Sequence, residues 1–221
     1  MIENPSRFTS PVLDQRELAA GLFELTFDRP AFSFRTGDEI QIYGSEPGQD
    51  RPYTIASGEK DPYLQILYRL IPDGALTPQL AGLREGDPIS FTGPFGNFHL
   101  RDPGRPAVFV ATGTGIAPAV SFARTYPDLE LYLLHGVRLR QDLCFAECFA
   151  PARYHPCISR ETVPGLFHGR VTDRFPALSF PDDADFFLCG ANDMIVAMTA
   201  FLKERGIADA RISGEAYYWW R

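Results

Sequence analysis

Between residues 22 and 100, apolar and polar residues alternate in short runs broken by Gly, Pro and Asp: 22–28, 39–43, 53–57, 63–70 and 88–92. A period of two puts successive side chains on opposite faces, so these runs predict strands of an antiparallel barrel or sandwich. One short helix is expected over 77–83, where Pro78 suits a first turn and Leu76, Leu80 and Leu83 share a face. Past the polar stretch 101–106, with its two prolines and a glycine, the texture changes. Apolar strands are expected at 107–111, 129–134 and 185–189. Helices are expected from Ala117, around 143–149 and over 194–205, the last stopped by Gly206. That alternation is the rhythm of a parallel α/β sheet. The pattern therefore predicts two domains: an N-terminal antiparallel β-barrel over 1–101 and a C-terminal α/β parallel-sheet domain over 106–221.

Composition narrows the function classes. The 221 residues are 45% hydrophobic and 22% charged, the balance of a folded, loop-rich protein. A formal net charge of −7 argues against general affinity for nucleic acid or anionic membrane, both of which need a basic face. No apolar run reaches the roughly 18–20 residues that cross a bilayer, and the first residues lack the basic and apolar regions of a secretory signal, so a cytoplasmic protein is expected. Cys144, Cys148, Cys157 and Cys189 show no paired CxxC spacing, and His99, His135, His155 and His168 are scattered, so no metal is expected.

Two stretches carry candidate chemistry. In the first, an apolar strand runs into Thr112-Gly113-Thr114-Gly115-Ile116-Ala117-Pro118 and then a helix. Small residues let backbone approach a pyrophosphate, and a helix start offers free N–H groups and a positive dipole end, worth about 0.3–1 kcal/mol per favourable charge contact. Pro118 departs from the usual three-glycine fingerprint, and a plain tight strand–helix connection is the competing reading. In the second, Arg51-Pro52-Tyr53-Thr54 sets a cation, a flat ring and a hydroxyl on one expected strand, able to meet a flavin's phosphate, ring and polar edge. An edge strand with incidental Arg and Tyr is the alternative.

Together, and in this order, the two motifs resemble the ferredoxin–NADP reductase superfamily, in the manner of its bacterial ferredoxin/flavodoxin–NADP reductases. Gly74-Ala75-Leu76-Thr77 is similar to that family's second flavin-phosphate loop, Gly93-Pro94-Phe95-Gly96 to the end of its flavin domain, and Cys189-Gly190 to the strand end beside the nicotinamide. The resemblance implies a six-stranded antiparallel barrel binding FAD, with FMN as the less favoured alternative, and a five-stranded parallel nicotinamide domain. It also implies roles. Thr54 lies near the flavin N5, Cys189 near the nicotinamide, Glu215 assists proton delivery, and Tyr68 counts among the cofactor-binding residues. Tyr217 or Tyr218 is a stacking lid, although Trp219-Trp220-Arg221 extends past the usual terminal tyrosine.

The 2′-phosphate of NADPH needs local positive charge. Ser159-Arg160 and Arg170, with Arg138 after the preceding strand, resemble the adenosine-phosphate stretch of bacterial relatives, which favours NADPH with NADH possible. Surface ion pairing of these arginines is the alternative. The family implies hydride transfer from NADPH to FAD and onward electron transfer to ferredoxin or flavodoxin, by a chain expected to be monomeric. A free-flavin reductase, or the reductase component of an oxygenase, is the alternative; a flavin- or cluster-binding regulatory subunit would need a C-terminal cysteine cluster, and no cysteine follows Cys189.

Overall fold

A computed structural model describes residues 7–217 of the protein. The chain falls into two units that divide between His99 and Leu100.

The first unit holds β1 (Phe8–Ala19), β2 (Leu22–Asp28), β3 (Glu39–Tyr43), β4 (Arg51–Thr54), β5 (Tyr63–Arg69), a short helix α1 (Thr77–Ala81) and β6 (Pro88–Phe95). The strands pair antiparallel in the order β4-β3-β6-β1-β2-β5. The two ends of that row meet just past β4, where Ile55 bridges Ile66 and the Ala56 N–H donates to Gln65 O at 2.7 Å, closing the sheet into a barrel. Closure removes exposed strand edges. Alternation supplies the core: Ile40 and Ile42 from β3, Leu64 and Ile66 from β5, and Leu25 and Phe27 from β2 all point inward. At its centre, Phe91 lies 5.4 Å from both Phe8 and Phe27 and 5.5 Å from Phe32. Such aromatic pairs add about 0.5–1.5 kcal/mol each beyond burial.

The pattern did not predict β1. Its twelve residues carry Pro11, Asp14, Gln15, Arg16 and Glu17, and half of the twelve are exposed, so little hydrophobic alternation marks it. The expected helix over 77–83 is shorter, ending at Gly82.

The second unit holds β7 (Ala107–Thr112), α2 (Ala117–Thr125), β8 (Leu131–Val137), β9 (Tyr154–Ile158), β10 (Phe167–His168), α3 (Val171–Arg174), β11 (Asp185–Gly190), α4 (Asn192–Glu204) and β12 (Ile212–Ala216). All strands pair parallel in the order β10-β9-β8-β7-β11-β12. The sheet therefore has six strands, not five; the added edge is the two-residue β10. The central strands β7 and β11 are apolar along nearly their whole length because both faces are covered. Val108, Val110 and Leu188 pack with Met194, Met198 and Leu202 of α4. Phe109 and Phe187 stack at 4.8 Å on the opposite face, with Phe122 of α2 5.1 Å from Phe109.

The helix expected around 143–149 is absent. Residues 139–153 instead make three single 3₁₀ turns, Arg140–Asp142, Ala146–Cys148 and Pro151–Arg153. Phe145 takes a left-handed backbone (φ 58°) that no α-helix accommodates, and its buried ring lies 5.6 Å from the Arg124 guanidinium. Cys144 and Cys148 thus share no helix face. Among the described residues no helix is long and apolar enough to cross a membrane.

Candidate functional site

In the barrel, β4 presents Arg51, Pro52, Tyr53 and Thr54 in strict alternation, paired to β3 in the register Ile42↔Arg51 and Ile40↔Tyr53. Arg51 is half-buried, and its Nη1 donates to the Asp50 carbonyl at 2.6 Å and the Gly48 carbonyl at 3.3 Å. Asp50 is the nearest acid in sequence, but its carboxylate is held by the Gln41 side-chain amide. Among the described residues Arg51 enters no ion pair, so its charge remains for an anion. Tyr53 packs half-buried against the barrel core. Burial holds its hydroxyl proton well above the usual tyrosine value despite the opposing Arg51 cation, so it stays a neutral donor. Thr54, on the other face, is 3% exposed.

The loop before α1 is rigidly held. The Gly74 N–H donates to Ile71 O at 2.9 Å, and a β-carbon at Gly74 would stand 3.0 Å from that oxygen. The Thr77 hydroxyl accepts from the Ile71 N–H at 2.9 Å and donates to Ile71 O at 3.2 Å. Gln79 donates to Ala75 O and to Gln49 Oε1, both at 2.7 Å, tying the loop to the segment that leads into Arg51. At the far end of α1, Gln15 donates to the Ala81 and Leu83 carbonyls, which have no helical partner, at 3.3 and 3.2 Å. Gln15 in turn accepts the Tyr68 hydroxyl at 3.0 Å. Tyr68 is 2% exposed and Thr77 8% exposed, and both hydroxyls are engaged in this framework. These two residues, grouped with the cofactor contacts on the sequence pattern, have side chains that hold the framework from within; Gly74, Ala75 and the N–H groups before α1 form the loop itself.

In the second unit every sequence-predicted site residue that lies among the described residues falls at or just beyond the carboxyl end of a strand, in the turn that follows β7, or, for Pro118, in the first turn of α2. Thr112 ends β7, Arg138 follows β8, Ser159 and Arg160 follow β9, Arg170 follows β10, Cys189 and Gly190 end β11, Glu215 lies near the end of β12, and Tyr217 follows it. Parallel pairing brings these ends to one edge of the sheet, where ligands of open α/β sheets bind. Tyr218 lies outside the described residues.

The Gly-rich turn is a 3₁₀ turn, Gly113–Ile116, leading straight into α2 with Pro118 in its first turn. Its glycines serve two separate needs. Gly113 has φ 56°, a conformation that favours glycine, with nothing near a would-be β-carbon. At Gly115 a β-carbon would stand 2.4 Å from Cys189 O, and at Gly190 (φ 124°) one would stand 2.3 Å from Thr112 Oγ1. Strand ends β7 and β11 therefore touch backbone to backbone, and the Ala191 N–H donates to Thr112 Oγ1 at 2.8 Å. Register sets Cys189 opposite Glu215, with Sγ 3.9 Å from Oε1, and the Tyr217 N–H donates to Gly190 O at 2.9 Å. The thiol, the carboxylate and the first residue of the aromatic tail are thus neighbours.

The arginines gather beyond β8, β9 and β10. The Arg160 N–H donates to Arg138 O at 3.0 Å, and Arg170 follows the Gly169 whose N–H donates to Ile158 O at 2.9 Å. Two nearby carboxylates are occupied by backbone donors: Glu161 by the Arg140 N–H at 2.8 Å and Asp173 by the Arg170 N–H at 3.0 Å. Arg138, Arg160 and Arg170 are exposed, and among the described residues none forms an ion pair.

Two family models match the chain: the oxidoreductase FAD-binding domain over residues 15–100 and the oxidoreductase NAD-binding domain over residues 109–200. The reductase subunit of an aromatic O-demethylase from Amycolatopsis sp. is 32% identical over 224 residues, covering 92% of this chain and 65% of that protein. The ferredoxin–NADP reductase of Pseudomonas aeruginosa is 28% identical over 244 residues, covering 94% of this chain and 93% of that protein. A crystal structure of an Amycolatopsis cytochrome P450 reductase matches with a TM-score of 0.85 at 29% identity, covering 96% of this chain and 71% of that one.

The chain belongs to the ferredoxin–NADP reductase superfamily. As a superfamily member it carries an FAD-binding barrel and an NAD(P)-binding α/β unit. The residues present suit those cofactors: among the described residues Arg51 has no anionic partner, Gln79 ties the loop after Gly74 to Gln49, and nothing lies within 4 Å of a would-be β-carbon at Gly113. The chain spans 65% and 64% of the length of the first curated relatives it matches.

Proposed function

We propose that this chain is an FAD-dependent reductase that takes hydride from NADPH and passes electrons to ferredoxin or flavodoxin, working as a monomer in the cytoplasm. The observation that carries the cofactor choice is the group of exposed arginines, without ion pairs among the described residues, Arg138, Arg160 and Arg170, at the strand ends beyond β8, β9 and β10. In a protein of net charge −7 such a cluster suits a local dianion, the 2′-phosphate. FAD, when bound, supplies a centre that accepts a hydride at N5 and returns electrons singly or in pairs. In this reading the domains run 1–101 and 106–221. Arg51 holds the flavin diphosphate, Tyr53 lies against the ring, and Thr54 hydrogen-bonds its N5 edge. Gly74, Ala75, Leu76 and Thr77 form the second phosphate loop, the last with Tyr68 by support from within. Thr112, Gly113, Thr114, Gly115 and Pro118 cradle the dinucleotide, with Ser159 beside the arginines. Cys189 and Gly190 flank the nicotinamide, Glu215 holds a proton next to Cys189, and Tyr217 begins the lid.

Anaerobic titration of the FAD-loaded protein with NADPH and NADH, followed by transfer to ferredoxin or flavodoxin, tests this directly. Faster bleaching of the flavin bands by NADPH than by equal NADH, and reduction of the added carrier, are the expected results; a protein that neither binds nor bleaches FAD sinks the reading. The 32% identity to an O-demethylase reductase subunit supports a second reading, the reductase component of an oxygenase. Under it, electrons pass to an oxygenase partner and the two small carriers stay oxidised.

A further inference from the structure

β8 carries an imidazole that the proposed chemistry does not use. His135 is 0% exposed and is bonded on both sides of its ring. Nε2 lies 3.2 Å from the Gly113 carbonyl oxygen, and Nδ1 lies 3.2 Å from the Tyr154 hydroxyl on β9. A carbonyl oxygen can only accept, so Nε2 carries the proton; in the neutral ring Nδ1 is then the acceptor, and Tyr154 donates to it. Burial keeps both groups in these forms. It pushes His135 down to about 4, against smaller raising effects of the Gly113 carbonyl and the Asp142 carboxylate, and it raises Tyr154 above the usual tyrosine value. The result is a directed chain from β9 through β8 to the turn after β7: Tyr154 O–H to His135, and His135 N–H to the Gly113 carbonyl at the entrance of the Gly-rich turn.

Gly113 makes that last bond consequential. Gly113 opens the 3₁₀ turn with φ 56° and nothing within 4 Å of a would-be β-carbon, so beside the turn's own i→i+3 bonding the His135 N–H is a side-chain hold on the peptide that follows it. A peptide unit is planar and trans, so its C=O and N–H point in opposite directions. Holding the Gly113 carbonyl toward His135 therefore turns the Thr114 N–H the other way, as the first donor of the turn.

We propose that His135 is a positioning residue for dinucleotide binding, acting through the Gly113 carbonyl to aim the Thr114 N–H at the pyrophosphate. This rests on the reading of the second unit as the NADPH site. Three substitutions separate the two bonds. His135→Gln places an amide donor where Nε2 stands, His135→Asn reaches only toward Tyr154, and His135→Leu removes both.

The measurements are steady-state kinetics with NADPH, equilibrium binding of NADP to the FAD-loaded protein, and flavin content. H135L and H135N are expected to raise KM and Kd about tenfold, with kcat at saturation within about twofold and flavin content unchanged, and H135Q to recover most of the affinity. Unchanged dinucleotide affinity in H135L, or an H135Q as impaired as H135L, overturns the proposal. Should the variants fail to fold, imidazole 15N NMR of the unsubstituted protein decides: a neutral ring protonated at Nε2 from pH 8 to pH 5 supports it, and an Nδ1–H tautomer or an imidazolium at pH 7 overturns it. An unsubstituted protein that binds neither NADPH nor NADH would refute the functional reading instead, and the NMR result would stand apart from it.

Discussion

The two units build their binding surfaces from different materials. In the barrel the candidate flavin site is made of side chains of one strand, Arg51 and Tyr53 on one face and the buried Thr54 on the other, with a nearby loop held through Thr77, Gln79 and Gln15. In the α/β unit the candidate surface is made largely of backbone, with glycines at 115 and 190 that let two strand ends meet and a glycine at 113 in a left-handed conformation. A side-chain surface loses function in steps, because each group contributes its own bond. A backbone surface fails as a whole, because one β-carbon moves the main chain itself.

The largest expected effect is therefore on the backbone side. Gly115→Val sets a β-carbon 2.4 Å from Cys189 O, a contact that requires the strand ends to part. We expect dinucleotide affinity to fall more than about 100-fold and stability to drop by roughly 1–3 kcal/mol, with bound FAD retained, as read by NADP titration and thermal unfolding. Retention of normal KM would break the contrast. On the side-chain side, Arg51→Ala removes one charge-assisted contact and is expected to weaken FAD binding by about 1.5–3 kcal/mol, measured by flavin fluorescence on release, while the fold persists. Arg160→Ala, a side-chain change within the backbone-built unit, sharpens the comparison further: KM for NADPH rises about tenfold and KM for NADH stays the same. An equal rise for both dinucleotides would assign Arg160 to structure instead of to the 2′-phosphate. Gln15→Leu leaves the Tyr68 hydroxyl and the carbonyls of Ala81 and Leu83 without this partner. It is expected to lower stability by about 1–2 kcal/mol with a smaller effect on FAD affinity, checked by denaturant unfolding beside flavin titration.

How far these surfaces could be read in advance differs between the units for the same reason. The runs 22–28 and 39–43 match β2 and β3 residue for residue, because their inward positions are apolar and their ends are marked by polar or glycine residues. β1 carries little apolar alternation because half of its side chains are exposed, and the 3₁₀ segment over 139–153 has helix-like apolar spacing that does not register the left-handed Phe145. Motif residues such as Arg51 and Gly113 were legible as local chemistry. The inward roles of Tyr68 and Thr77 were not, since each depends on a partner brought from elsewhere in the barrel. His135 looked like one scattered histidine among four; its meaning comes from Gly113 and Tyr154, which reach it only across the sheet.

By itself, the sequence determined the two textures, the order of the motifs and the chemical types present at each strand end, because propensity, alternation and glycine placement act over a few residues. Only the tertiary structure decided which of those residues meet. Parallel register gathered the ends of six strands, barrel closure turned some hydroxyls inward, and burial set which groups stay neutral, all of which depend on contacts between segments far apart in the chain.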